Sequence, residues 1–323
     1  MTRPRSSARP RLSLALVLSL AACVAPAGPI EPDPYATAAP DPTEASATVG
    51  TEVVICGRRF DIGAPVVLWS DPGGYDAYAL VGGELTFHPG RKARTEIGAP
   101  AVGASSSDPG ELAGVDQFVL HYDVCGTSRT CFRVLHDRGL SVHFLLDVDG
   151  TLYQTLDLRE TAWHATRSNT RSVGIEIAQI GARTPAEAGD LDEWYAEDAQ
   201  GLRVTLPPRF GDGGVRTPAF VGRPARGGLF EGRINGSDLV QYDFTEEQYR
   251  TLGRLLAVLV RELPALEPSL PRTPSGEIVP EVLSDEDWAA FRGVLAHWHV
   301  QRNKTDPGPA MDWDRVSRAI GER

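Results

Sequence analysis

The sequence is short of positive charge, of cysteine and of repetition. Its 32 basic residues face 43 acidic ones, for a formal net charge of −11 at pH 7. A chain this acidic lacks the electrostatic footprint of a nucleic-acid binder. Four cysteines in 323 residues allow at most two bridges. No internal period recurs, which excludes solenoid and propeller arrays. The N-terminal apolar run at 12–20 is too short to span a bilayer, which takes about 20 residues of helix. Against these absences, 41% of the residues are hydrophobic, enough for a real core in a chain of this length.

The first 22 residues carry Arg3, Arg5, Arg9 and Arg11, then the apolar run, then Leu20-Ala21-Ala22-Cys23. This is the layout of an export signal. The ending resembles the lipobox of bacterial lipoproteins, in which cleavage before the cysteine is followed by its acylation. That resemblance implies a lipid anchor at Cys23, and several acyl chains on one residue give stable membrane attachment. Val24, in place of an aspartate, implies by resemblance to Gram-negative sorting an outer-membrane protein facing the periplasm. Loss of residues 1–22 removes four arginines and no acid, so the charge moves from −11 to −15. Residues 23–50 follow as a tether, with Pro26, Pro29, Pro32, Pro34, Pro40 and Pro42 among Ala, Thr and acids, a composition that cannot bury a core.

Export sets an oxidising context for Cys56, Cys125 and Cys131. The closeness of Cys125 and Cys131 predicts a local disulfide, worth roughly 2–3 kcal/mol by loop entropy. Pairings through Cys56 stay open.

Residues 51–55 and 64–69 read as short strands, and 51–108 as an irregular extension packed on the domain that follows. Gln117–Tyr122 is a strand with His121 near its end. Ser128–Asp137 is a helix stopped by Gly139. Residues 141–148 and 151–156 flank Asp149-Gly150, a type I′ hairpin pair. Residues 173–177 form a strand with Glu176 in an apolar frame, a setting that raises a carboxylate's pKa. Residues 183–240, rich in Gly, Pro and charge, read as a long insertion bordering the cleft. Thr245-Glu246-Glu247-Gln248 is a capping box for a helix with Leu252, Leu255, Leu256, Leu259 and Leu263 at helical spacing. Residues 288–292 form a helical turn and Trp313–Ile320 a terminal helix.

Residues 294–300 alternate like a short buried strand, which would set His297 and His299 on one face. Asp306 follows nine residues after His297, with Lys304 just before it and a Pro-Gly turn behind. These are the residue types of a metal site.

Leu120-His121-Tyr122, the run from Ala162-Trp163-His164 to Ser172-Val173-Gly174-Ile175-Glu176-Ile177, and Lys304-Thr305-Asp306-Pro307-Gly308-Pro309 together resemble the zinc-dependent N-acetylmuramoyl-L-alanine amidases of the type 2 amidase family, which includes peptidoglycan-recognition proteins and phage amidase-lysozymes. The resemblance covers 117–181, 243–263 and 294–316. It implies an α/β fold with a mixed central sheet flanked by helices, as a single catalytic domain over 109–323 behind the N-terminal extension. It implies zinc held by His121, a histidine of the last strand and Asp306, with an open position for water. His297, at the motif's first position, is favoured over His299. Glu176 would be the general base and Lys304 the oxyanion stabiliser. Trp163 and His164 of the Trp-His-Ala motif, and Asn169, would contact substrate. The implied partner is peptidoglycan or muropeptides, cut between N-acetylmuramic acid and L-alanine.

The sequence departs from the family pattern in three places. Ala296 stands where glycine is common, the spacing from histidine to lysine is one residue short, and Val142 replaces the tyrosine of the lysozyme-like branch, which points to the Glu-based branch. His143 reads as packed or supporting. The rival readings are a non-catalytic peptidoglycan-binding protein of the same fold and a zinc peptidase acting on the stem peptide. All five of His121, a late histidine, Asp306, Glu176 and Lys304 are present, which favours catalysis.

Overall fold

The computed structural model describes residues 49–78, 92–93 and 112–322. The leader, Cys23 and the tether up to residue 48 lie outside the described residues, as does most of 79–111. Among the described residues no helix is long and apolar enough to cross a membrane.

One seven-stranded mixed sheet organises the chain. Its strands are β1 (Gly50–Ile55), β2 (Arg58–Leu68), β3 (Gln117–Tyr122), β4 (Phe144–Leu146), β5 (Leu152–Gln154), β6 (Ser172–Ile177) and β7 (Gly293–Ala296), in the spatial order β1-β2-β5-β4-β6-β3-β7. β1 and β2, like β4 and β5, pair antiparallel; the other neighbours run parallel. The helices are α1 (Ser128–Asp137), α2 (Glu246–Glu262), α3 (Asp285–Ala290), α4 (His297–Val300) and α5 (Trp313–Ile320). This is the mixed α/β architecture expected from the sequence.

Period-two alternation divides the sheet into two faces. Phe118, Leu120, Val173, Ile175, Phe144 and Leu146 point to one core, which is closed by Leu252, Leu255, Leu256 and Leu259 of α2 and by Val316 and Ile320 of α5. Each leucine buried there contributes about 2 kcal/mol of transfer free energy. The Thr245 capping box is formed: its hydroxyl accepts from Gln248 N, and Gln248 Oε1 accepts from Thr245 N. On the opposite face, α1 covers Val67, Leu145 and Tyr153. Alternation therefore sends His121, Gly174 and Glu176 to the face away from α2.

Several expectations are corrected. The stretch 64–69 is the end of one long strand, β2, which joins β1 through Cys56 and Gly57, both at positive φ (51° and 75°). The start of the extension is thus part of the main sheet, as its edge. Asp157 fixes that turn, accepting Cys56 N at 2.8 Å and Gly57 N at 2.7 Å. The Asp149-Gly150 hairpin is not type I′. Gly150 alone is left-handed (φ 81°) and its N–H donates to Asp147 O at 3.0 Å, a type I turn followed by a left-handed residue. Cys125 and Cys131 pack with Phe132, Leu135 and Val142 beneath α1. Cys56 belongs to the core on the other face.

The insertion is not a structureless loop. It holds the ribbon Tyr195–Asp198 with Gly201–Val204 and the hairpin Leu229–Ile234 with Ser237–Tyr242. Its own small core gathers Ile180, Leu191, Trp194 and Tyr195. Periodicity was hidden because these strands are short and half-exposed. Finally, the strand expected over 294–300 stops at Ala296, at the sheet's C-terminal edge, and continues as the single helical turn α4.

Candidate metal centre

The site lies at the C-terminal ends of the parallel strands β3, β6 and β7, where open sheets expose side chains. β3 delivers His121. β7 delivers the turn that carries His297. The following loop, tied by Lys304 N to Gln301 O (3.1 Å) and Gly308 N to Thr305 O (2.9 Å), returns Asp306 to both. Asp306 Oδ2 accepts from His121 Nδ1 at 2.8 Å and from His297 Nδ1 at 2.9 Å. All three ligand-type atoms lie within 4.8 Å of one another, and all three residues are buried.

The donor set fits zinc: two imidazole nitrogens and one carboxylate oxygen leave a fourth position for water or substrate, as in hydrolytic centres. Burial, joined by the charge of His297, pushes His121 down to about 4, against the pull of Asp306. At neutral pH it is the neutral imidazole a metal requires. Burial alone would raise Asp306, but the charge of His297 and the hydrogen bonds from His121 and His297 hold it well below the usual carboxylate range. The outer ring nitrogens are engaged too, which orients the two rings. His297 Nε2 meets Gln301 Oε1 at 2.9 Å, and His121 Nε2 shares a hydrogen bond with His164 Nδ1 at 2.9 Å.

The helical turn separates the two late histidines. His299 points away from Asp306: its Nδ1 accepts from Ala296 N at 3.0 Å and its Nε2 donates to Val279 O at 2.7 Å. Burial drives its pKa down to about 3. It is a packed, hydrogen-bonded histidine. So is His143, which accepts from Gly174 N and donates to Glu160 O.

A cleft of about 360 Å³ opens over the centre, lined by His121, His297, Asp306, His164, Glu176 and Lys304, with Tyr122, Arg138, Arg183, Asn303 and Thr305 among its other walls. Glu176 is partly exposed into it, yet its Oε2 is enclosed with no hydrogen-bond partner among the described residues. Burial and the charges of Asp306 and Asp123 push its pKa well above the usual carboxylate value, while Lys304 and Arg138 oppose the shift. Among the described residues no ion pair involves Lys304, so its ammonium is available to the cleft.

His164 lines the cleft but also braces His121. Its ring packs over Gly174, where a Cβ would sit 2.4 Å from His164 Cε1. Asn169 is buried behind it, its Oδ1 accepting from His164 N at 3.0 Å and Ala165 N at 2.7 Å. Asn169 therefore shapes the loop rather than lining the cleft. Trp163 is held to Ser141 through backbone hydrogen bonds and is not among the cleft walls. Gln301, Arg138 and Arg183 went unremarked in the sequence. Reading 297–301 as helix would have exposed the i, i+4 relation of His297 and Gln301.

A mixed-sheet α/β domain with a His-His-Asp centre at its strand ends is the class defined by fold and site. A family model described as N-acetylmuramoyl-L-alanine amidase matches residues 111–209. That span contains His121, His164 and Glu176 and stops before His297 and Asp306. No curated protein matches the chain. Among solved structures, a selenomethionine derivative of AmpD is similar at 17% identity, covering 72% of this chain and 90% of its own, with a TM-score of 0.33. The N-acetylmuramoyl-L-alanine amidase LysC from Clostridium intestinale URNW is similar at 14% identity, covering 65% and 87%, with a TM-score of 0.35. The endolysin amidase LysCS from the same organism has 14% identity, 65% and 86% coverage and a TM-score of 0.34.

Proposed function

We propose that the protein is a zinc-dependent N-acetylmuramoyl-L-alanine amidase acting on peptidoglycan or muropeptides, anchored by lipid at Cys23 in the outer membrane and facing the periplasm. The observation that carries the reading is the convergence of His121, His297 and Asp306 on one point in a cleft that also holds Glu176 and Lys304. The amidase family match over 111–209 supports the same reading.

His121, His297 and Asp306 would hold the metal. Bound there, zinc supplies Lewis acidity toward the scissile carbonyl and lowers the pKa of water toward about 7. The chain's own residues do the rest. Glu176, as the carboxylate, takes a proton from the attacking water and passes it to the leaving nitrogen of L-alanine, its raised pKa making it the stronger base. Lys304 faces the negative charge that develops on the carbonyl oxygen. The walls of the cleft orient the amide and limit competing water.

The test is metal content and muropeptide cleavage, read by mass spectrometry, for residues 24–323 beside the Glu176→Ala variant. About one zinc per chain, release of peptides beginning with L-alanine, and a variant that keeps zinc while losing cleavage are the expected results, the zinc count following from a single three-ligand centre. Products that keep alanine on the sugar would mean a peptidase. Binding without metal or cleavage would mean a recognition protein.

A further inference from the structure

The insertion hairpin reaches the metal centre through its tip. Ile234 and Ser237 close a two-residue turn of Asn235 (φ 47°) and Gly236 (φ 84°), the Asn-Gly pair that such turns favour. The backbone N–H, the Oδ1 and the side-chain NH₂ of Asn235 are all engaged. Its N–H donates to Pro280 O at 3.0 Å, and its Oδ1 accepts from Val282 N at 2.8 Å. That second contact fixes the amide's orientation, because only the oxygen can face an N–H. The side-chain NH₂ is thereby aimed at Lys304 O (2.9 Å), Trp298 O (3.3 Å) and Gln301 O (3.3 Å). These carbonyls lie at the end of α4 and in the loop beyond, where helical partners are missing.

The other end of the same loop is gripped from the same hairpin. Gln241 Nε2 donates to Pro307 O at 3.1 Å and its Oε1 accepts from Ala310 N at 3.0 Å. The segment that carries His297, Lys304 and Asp306 thus has little regular structure of its own and is fastened at both ends by the hairpin. We propose that Asn235 is a positioning residue for this segment: the insertion's hairpin is a strut whose tip sets the places of His297, Lys304 and Asp306. The inference rests on the metal-centre reading above for its functional consequence, and on the hydrogen bonds alone for its structural one.

The experiment compares the full chain with Asn235→Gly, which keeps the left-handed turn and removes the side-chain donors. Arg233→Ala, which breaks only an exposed ion pair with Asp238, is the control. Zinc affinity is measured by chelator competition, amide exchange by mass spectrometry, and kcat and KM on a muropeptide. The expected result for Asn235→Gly is zinc affinity weakened by roughly tenfold or more, as for other residues that orient ligands. Exchange should speed up only across 297–308, and kcat should fall with KM little changed. The control should match the wild type. Unchanged zinc affinity and unchanged local exchange would overturn the proposal, and so would faster exchange spread through the whole sheet, which marks a general structural role. If the wild type binds no zinc, the metal-centre reading fails on its own account, and local exchange at 297–308 still decides for or against the strut.

Discussion

His121 and Glu176 are register partners on adjacent parallel strands. Because strands alternate, their side chains share one face, opposite the α2 core. One brings a ring nitrogen to Asp306 and the other an enclosed carboxyl oxygen to the same cleft. The sheet's hydrogen-bond ladder, rather than any loop, therefore sets the relation between His121 and Glu176, and rigid elements hold such relations best.

Glu176→Gln separates these two roles. The amide fills the same space without a proton acceptor, so kcat should fall by a factor of about 10² to 10⁴, the usual range for a general base. Zinc content should stay at the wild-type level because Glu176 is not one of the converging ligand atoms. Steady-state kinetics together with elemental analysis check this; loss of metal in the variant would place Glu176 among the ligands instead.

The two late histidines should respond in opposite ways. His297→Ala removes a converging nitrogen, and the expected outcome is loss of bound zinc with the fold retained. His299→Ala removes hydrogen bonds to Ala296 N and Val279 O deep in the structure, and leaving those groups unsatisfied should cost about 1–3 kcal/mol each. Chemical denaturation and metal analysis on the pair of variants distinguish them. A His299 variant as stable as the wild type would contradict the packing role.

Much of this was legible in the residues. The capping box at Thr245 with its leucine spacing, the helix Ser128–Asp137, and the apolar runs around His121 and Glu176 are local signals, and each became the expected element. The insertion was not legible because its strands are short and half-exposed, and their partners lie across turns rather than along a period. The end of β7 was not legible either. Alternation continues through His297 and His299, but the sheet's neighbour β3 is paired only as far as Leu120 opposite Ala296, so the chain is released into a helical turn. Which histidine faces Asp306 is decided by that tertiary fact. The tip of the insertion, which hydrogen-bonds through Asn235 to the backbone of the segment carrying His297 and Asp306, is beyond any pattern reading.

Gly174→Ala tests the brace behind His121. A Cβ there meets the His164 ring at 2.4–2.8 Å, closer than packed atoms tolerate, so the ring must shift and its hydrogen bond to His121 Nε2 must lengthen. Overpacking of this kind costs about 1–3 kcal/mol. Zinc affinity should weaken alongside stability, whereas Gly189→Ala, where a Cβ has open space, should leave both unchanged. Titration with zinc and thermal unfolding of the two variants supply the comparison.

Asp147 gives the fold a pH dependence of its own. It is fully buried; its Oδ1 accepts from Val148 N at 2.8 Å, and its Oδ2 has no hydrogen-bond partner among the described residues. Burial, with the charge of Asp149 behind it, raises its pKa from 3.8 to about 8. The folded state therefore holds a proton that the unfolded chain releases above about pH 4. Between that point and about pH 8 the folded protein binds more protons, so stability falls as pH rises, by up to about 1.4 kcal/mol per pH unit from this group. Below pH 4 both states are protonated and the effect is absent; above pH 8 both are ionised and the loss is complete. Asp147→Asn carries no proton to lose. Its stability relative to the wild type should therefore climb steadily from pH 5 to pH 8, measured by urea denaturation at each pH. A constant difference over that range would mean that Asp147 is already ionised in the folded protein.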